Sequence, residues 1–132
     1  MKSRKGFTLV ELMIVMVIIG ILLSLLLPGV FTARQEALKT QTASNLRQLG
    51  IALYAYAKNN NGSFPGRLEY LVDEGYLNDN TVLYSAYGNK AIFRMTVPPG
   101  ASLYRLNSTS CIAVDITTSY KLLADGSVDT SP

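Results

Sequence analysis

From Leu12 to Ala33 the chain carries no charged side chain. A helix needs about 20 apolar residues to cross a bilayer, and this stretch is long enough. It cannot serve as the surface of a water-soluble domain. It therefore divides the chain into a basic leader over residues 1–6, an apolar transmembrane segment over 7–33, and a body over 34–132. The body is a modest length of chain, enough for one domain.

The charges follow the same division. The whole chain has 12 basic and 9 acidic side chains, and Lys2, Arg4 and Lys5 sit in the leader. Without the leader, nine of each sign remain. A neutral body exerts no long-range pull on nucleic acid, so a nucleic-acid partner is not indicated. Basic residues flanking a membrane span stay cytoplasmic, which places the N-terminus inside and the body outside the cytoplasm. The sequence has no histidine, so a histidine metal site or histidine general base is excluded. A single cysteine, Cys111, excludes an intramolecular disulfide. No catalytic constellation emerges, and the chain reads as a non-enzyme.

Beyond the apolar segment, Leu38, Thr42, Leu46, Leu49, Leu53 and Tyr56 recur at spacings of three and four. That is the period of one helical face. Gln35, Glu36, Lys39, Gln41, Ser44, Asn45, Arg47 and Gln48 fall between them and are expected to face water. The pattern predicts one helix from about Phe7 to Lys58, apolar all round in its first half and amphipathic in its second. At 1.5 Å per residue it is roughly 75 Å long. Pro28-Gly29 predicts a kink or local loosening, since proline removes a helix hydrogen bond. Asn59 to Ser63 ends the helix, because Asn and Gly tolerate left-handed backbone.

A turn at Phe64-Pro65-Gly66 and a short helix over Arg67–Glu74, closed by Gly75, follow. Five short strands are then expected: Val82–Tyr87, Ala91–Val97, Ser102–Leu106, Cys111–Ile116 and Tyr120–Ala124. Asp125-Gly126 is a turn, and Val128 begins a returning strand. The fold class is α+β: the long helix packs its amphipathic half against a small antiparallel sheet.

The first thirty residues admit three readings. A secretory signal has an apolar core of about 7–15 residues followed by a small-residue cleavage site, and neither fits. A plain membrane anchor explains the length and the basic flank. It leaves Glu11 unexplained, because a lone acid in a membrane helix costs roughly 2.5–3.5 kcal/mol near the centre and less near the edge. Glu11 is then either an edge acid that reaches water or an acid with a partner.

The third reading supplies the partner. Lys5-Gly6-Phe7-Thr8-Leu9-Val10-Glu11, followed at once by an uncharged span, resembles the N-terminus of type IV pilins and type II secretion pseudopilins residue for residue. The resemblance is specific over residues 1–33 and looser to about Tyr76. It implies a lollipop-shaped, pilin-like fold and a structural subunit of a homo-oligomeric helical filament. It implies cleavage between Gly6 and Phe7 by a prepilin peptidase that also methylates the new amine of Phe7. It further implies an assembly role for Glu11, flexibility at Pro28 and Gly29, and an inner-membrane assembly platform as partner. Before assembly the chain is a single-pass inner-membrane protein, and afterwards an extracellular or periplasm-spanning filament.

The chemistry agrees with these roles. Glycine before the scissile bond permits an extended, crowded backbone. Cleavage removes the three leader charges and frees an amine whose pKa is about 7.7–8. Glu11 lies four residues on, one helical turn away, and can pair with its own amine or with that of the next subunit. Proline is also tolerated in membrane helices without a special role.

Within the family, Tyr54-Ala55-Tyr56, then Asn61-Gly62-Ser63-Phe64-Pro65 and Gly75-Tyr76-Leu77, are similar to major pseudopilins and compact pilins. Leu123-Ala124-Asp125-Gly126-Ser127-Val128 is similar to a group of bacterial pilin-like proteins. The alternatives are a major pseudopilin of a type II secretion system and a minor pilin acting as a binding module. The lone Cys111 departs from pilins whose C-terminal loop is closed by two cysteines.

Some major pseudopilins bind calcium near the C-terminus, and Asp115, Asp125 and Asp129 are hard-oxygen candidates. Their order forms no EF-hand loop, so they are expected to be solvent-facing turn acids, with no cofactor or metal. Cys111 is expected to be a buried structural thiol. The eight tyrosines are expected on the core and strand faces. Asn107-Ser108-Thr109 fits a glycosylation sequon.

Overall fold

The computed structural model describes residues 6–87 and 92–131. The leader residues 1–5, and Ala91 at the start of one expected strand, lie outside them. The chain forms two compact units, residues 1–36 and 37–132. Helix α1 spans Leu9–Asn59 and contributes to both.

In the first unit every described residue is exposed. Its apolar side chains, from Phe7 to Phe31, are exposed among the described residues. The helix continues through Pro28. Both hydroxyls of the apolar stretch are satisfied inside the helix. Ser24 Oγ donates to the Ile21 carbonyl at 2.7 Å, and Thr32 Oγ1 to the Pro28 carbonyl at 3.2 Å. Internal pairing of this kind is what a lipid environment demands.

In the second unit α1 buries Thr42, Leu46, Leu49, Gly50, Ala52, Leu53 and Ala57. The stripe predicted from spacing is the observed one, with Leu38 and Tyr56 half-buried at its ends. Gly50, Ala52 and Ala57 widen it. Small residues allow a sheet to come close: a Cβ on Gly50 would lie 2.9 Å from Leu122 Cδ1. The helix stops where expected. Asn61 and Gly62 have φ of 53° and 81°, and the Gly62 N–H donates to the Ala57 carbonyl at 2.7 Å. The exposed ring of Tyr104 covers Gly62 so closely that a Cβ there would meet it at 2.3 Å.

The second helix, α2, is shorter than predicted and spans Tyr70–Asp73. Gly75 closes it at φ 78°, and Leu68 and Leu71 are buried beneath it. The sheet has four antiparallel strands in the order β1 (Arg94–Met95), β2 (Cys111–Val114), β3 (Lys121–Leu123) and β4 (Val128–Asp129). The registers pair Arg94 with Val114, Val114 with Lys121, and Lys121 with Asp129. Leu46, Leu49 and Leu53 of α1 share one core with Ile112, Ala113 and Leu122 of the sheet, and with Phe64, Leu71, Leu83 and Phe93.

Two predicted strands are not strands. Asn80–Leu83 is a 3₁₀ turn, so Val82–Tyr87 contributes only an isolated bridge between Tyr84 and Ile92. Asp79 causes this, accepting from the Thr81 N–H at 2.9 Å and the Thr81 hydroxyl at 2.8 Å. Such local side-chain bonds compete with a ladder. Leu103–Arg105 is likewise a 3₁₀ turn. There the Leu103 N–H donates to the Gly62 carbonyl at 2.7 Å, leaving one bridge between Ser63 and Ser102.

Candidate functional site

Of the predicted site residues, Gly6 and Phe7 just precede α1 and Glu11 lies in its first turn, and all three are exposed. Phe7 is 78% exposed. Thr8 immediately precedes the helix, and Glu11 is its third residue. The Glu11 carboxylate accepts from the Thr8 N–H at 2.9 Å and from the Thr8 hydroxyl at 2.8 Å. In return the Glu11 N–H donates to Thr8 Oγ1 at 3.2 Å. This is a reciprocal capping box, in which a Thr and a Glu three residues apart satisfy the donors a helix start leaves open. The Glu11 side chain thus has a partner within its own chain, which charge reasoning alone did not supply. The signal was present in Thr8-Leu9-Val10-Glu11, the spacing of such a box.

The cap also fixes where Glu11 points. Its carboxylate is folded back over the Thr8 N–H, one residue from the backbone nitrogen of Phe7. An amine created at Phe7 is therefore close in sequence to a carboxylate already turned toward the helix start. Pro28 and Gly29 are seventeen and eighteen residues further along the same helix, and a Cβ on Gly29 would point into open space. Pro28 has no N–H, so the Ser24 carbonyl lacks its usual helical donor.

A second polar group lies in the body and was not predicted. Thr42, fully buried, donates to the Leu38 carbonyl at 2.9 Å. Its oxygen accepts from the N–H groups of Ala86 and Tyr87 at 3.0 and 3.2 Å. Beside it Ser85, also buried, reaches Asp115 at 3.1 Å. Asp115 is fully buried and accepts from the N–H groups of Thr117 and Thr118 at 3.1 and 3.0 Å, and from the Thr118 hydroxyl. Asn45 Nδ2 donates to the Tyr84 carbonyl at 3.0 Å. These bonds pin the 84–87 segment to α1 and to the connection after β2.

Several expectations are corrected here. Asp115 is a buried acceptor in a turn, not a solvent-facing acid, because three donors of its own turn enclose it. Asp129 is half-buried; only Asp125 is exposed as expected. Hydrogen bonds from the Ser127 hydroxyl and N–H hold the Asp125 carboxyl below its usual pKa. Those from the Ser131 hydroxyl and N–H do the same for Asp129. No three metal-ligating side chains gather among the described residues. Cys111 is half-buried rather than buried, its thiol 3.5 Å from the Ala113 carbonyl.

None of the eight tyrosines is buried. Tyr56, Tyr76 and Tyr120 are partly buried against the core, and the Tyr76 hydroxyl accepts from Asn59 Nδ2 at 2.9 Å. Tyr56 and Tyr76 meet edge to face at 5.6 Å. Desolvation, then the Glu74 charge, raises the Tyr56 pKa. Asn45 and Lys39 are half-buried instead of facing water, with the Lys39 ammonium 5.6 Å from the Tyr87 ring centre. Asn107 is exposed.

Comparison with known proteins bears on both units. Residues 1–27 match the family described as the prokaryotic N-terminal methylation motif. The chain is 35% identical over 78 residues to the ComG operon protein 3 homolog of Bacillus licheniformis, covering 59% of this chain and 79% of that relative. It is 38% identical over 65 residues to the type II secretion system core protein G of Klebsiella pneumoniae, covering 49% of this chain and 46% of the relative. The core protein G of Escherichia coli K12 is 40% identical over 58 residues, 44% of this chain and 40% of that protein. The chain thus spans less than half the length of these secretion relatives. No solved structure is a significant match. The N-terminal motif, the long helix and small antiparallel sheet, and a relative matched over most of its length agree: this chain belongs to the type IV pilin and type II secretion pseudopilin family.

Proposed function

We propose that the chain is made as a membrane-anchored precursor, cut between Gly6 and Phe7, methylated on the new amine, and polymerised into a helical filament. The observation that carries this reading is a capped Glu11 at the start of a helix whose first half leaves its apolar side chains exposed among the described residues. The uncut leader places three cations before that acid. The cut removes them and leaves one amine beside it. N-methylation keeps that amine basic. A carboxylate held by neutral donors can exchange them for an ammonium, and charge-assisted bonds are roughly twice as strong as neutral ones. Pairing with the amine of a neighbouring subunit fixes the axial register.

A prepilin peptidase and an inner-membrane platform are the partners this route needs. The N-terminus starts in the cytoplasm and the body lies across the membrane, with flexibility at Pro28-Gly29 easing release of the helix from lipid. α1 is long and apolar enough to cross a membrane. A secretion pseudopilus is the second reading, supported by the core protein G relatives. The two differ in where the filament ends, outside the cell or within the envelope.

Mass spectrometry of the mature N-terminus from sheared filaments tests the route. The expected species begins with N-methylated Phe7; a chain beginning at Met1 contradicts it. Replacing Glu11 with Ala is expected to lower filament yield at least tenfold while leaving precursor levels unchanged. Undiminished filaments from E11A would remove Glu11 from assembly.

A further inference from the structure

A cavity of about 300 Å³ opens in the body where stretches of chain far apart in sequence converge. Lys39 of α1, Tyr87, Thr117, Thr118, Tyr120 and Thr130 line it. All but Lys39 bring a hydroxyl, and Tyr87 and Tyr120 bring a ring as well. Its size is at the low end of small-molecule sites, which run from about 300 to 1,000 Å³.

The buried polar group around Thr42 and Asp115 holds the walls of this cavity. The Thr118 hydroxyl donates to the buried Asp115 and accepts from the Tyr120 N–H at 3.4 Å. The Tyr120 carbonyl accepts from the Asp115 N–H at 2.8 Å. The Tyr87 N–H donates to Thr42 Oγ1 at 3.2 Å, and the Tyr87 carbonyl lies 3.0 Å from Ser85 Oγ. Between Thr118 and Tyr120, Ser119 takes φ 62°, a left-handed backbone uncommon outside glycine. A satisfied buried network rigidifies what it touches. Walls fixed in advance spare a ligand the cost of ordering them. The bonds at Tyr87, Thr117 and Tyr120 run through backbone groups, which leaves their side-chain hydroxyls open to a ligand.

Hydroxyls both donate and accept, so they match a ligand whose own groups do both. The tyrosine rings offer flat apolar faces beside those polar groups. The Lys39 ammonium stands 5.6 Å from the Tyr87 ring centre, and the Asp115 carboxylate lies behind Thr118. With one charge of each sign, the site favours neither an anion nor a cation. A pyranose ring has this pattern, with hydroxyls around its edge and C–H groups on its faces.

We propose that the cavity between Lys39, Tyr87, Tyr120 and the threonines at 117, 118 and 130 binds one neutral pyranose unit of a glycan. The proposal is independent of the filament reading, since the whole site lies in the body.

Ligand-observed NMR on the full-length chain tests it, in a detergent whose headgroup is not a sugar. The probes are glucose, galactose and N-acetylglucosamine as neutral pyranoses, with glucuronate and inorganic phosphate as anions. At least one neutral pyranose is expected to show saturable magnetisation transfer from the protein. Thr117→Val combined with Thr130→Val removes two exposed hydroxyls outside the core. That pair is expected to weaken binding about tenfold, with thermal unfolding unchanged. Tyr104→Phe, at the helix stop, is expected to leave binding unchanged. No transfer to any of the three neutral sugars overturns the proposal. Binding of glucuronate or phosphate alone overturns it in favour of an anion site. Undiminished binding by the double variant places the sugar elsewhere and also overturns it.

Discussion

Thr42 shows how one hydroxyl can decide local order. It sits in the middle of an apolar stripe, and its oxygen takes two N–H groups from a segment more than forty residues away. Thr42→Val keeps the shape and removes that acceptor. Leaving part-buried donors unsatisfied costs roughly 1–3 kcal/mol. Chemical denaturation of the detergent-solubilised chain should show a loss of that size for T42V and a smaller one for T42S. Equal stability of T42V and wild type would mean that water replaces the oxygen. Nothing in the sequence announces this role, since a threonine among leucines reads as one more stripe position until Ala86 and Tyr87 are placed beside it. At Glu11 the reverse holds. Its position and charge are legible, and so is the Thr-x-x-Glu spacing. That spacing becomes a cap only where the helix begins, which periodicity locates to within a residue or two.

Among the elements, length separates what could be read from what could not. The 51 residues of α1 repeat their pattern many times, so the helix and its buried face follow from spacing. The strands have two to four residues each, too few for alternation to outweigh a local bond. Asp79 with Thr81, and Leu103 with the Gly62 carbonyl, turn two β-rich runs into 3₁₀ turns. The contact of α1 with β3 passes through Gly50. Alanine there adds about 1 kcal/mol of helix propensity, but its Cβ meets Leu122 at 2.9 Å. The Leu122 tip can turn only into a packed core, and overpacking costs typically 1–3 kcal/mol. Gly50→Ala should therefore be neutral to about 1 kcal/mol destabilising, and Gly50→Val clearly worse, in the same denaturation assay. Stabilisation by G50V would show that the sheet has room to move away.

The whole molecule joins an apolar segment without cover to a body that folds around its own core. The stability of that body depends on pH through its turn acids. The carboxyls of Asp79, Asp125 and Asp129 are held low by hydrogen bonds from Thr81, Ser127 and Ser131. A depressed folded-state pKa contributes stability that is complete above the unfolded value, about 3.9, and is lost as pH falls through the folded one. The melting temperature should be flat in this respect from pH 7 down to about 4.5 and fall below about pH 4. D125N should show a shallower acid limb, and an unchanged limb would assign the loss to other carboxyls. The chain also has no tryptophan, so its ultraviolet emission comes from tyrosine. One of those rings, Tyr104, lies against Gly62 at the helix stop while remaining 80% exposed. Comparing Tyr104→Phe with the parent isolates its signal, giving an intrinsic optical probe for whether that corner opens before the core melts.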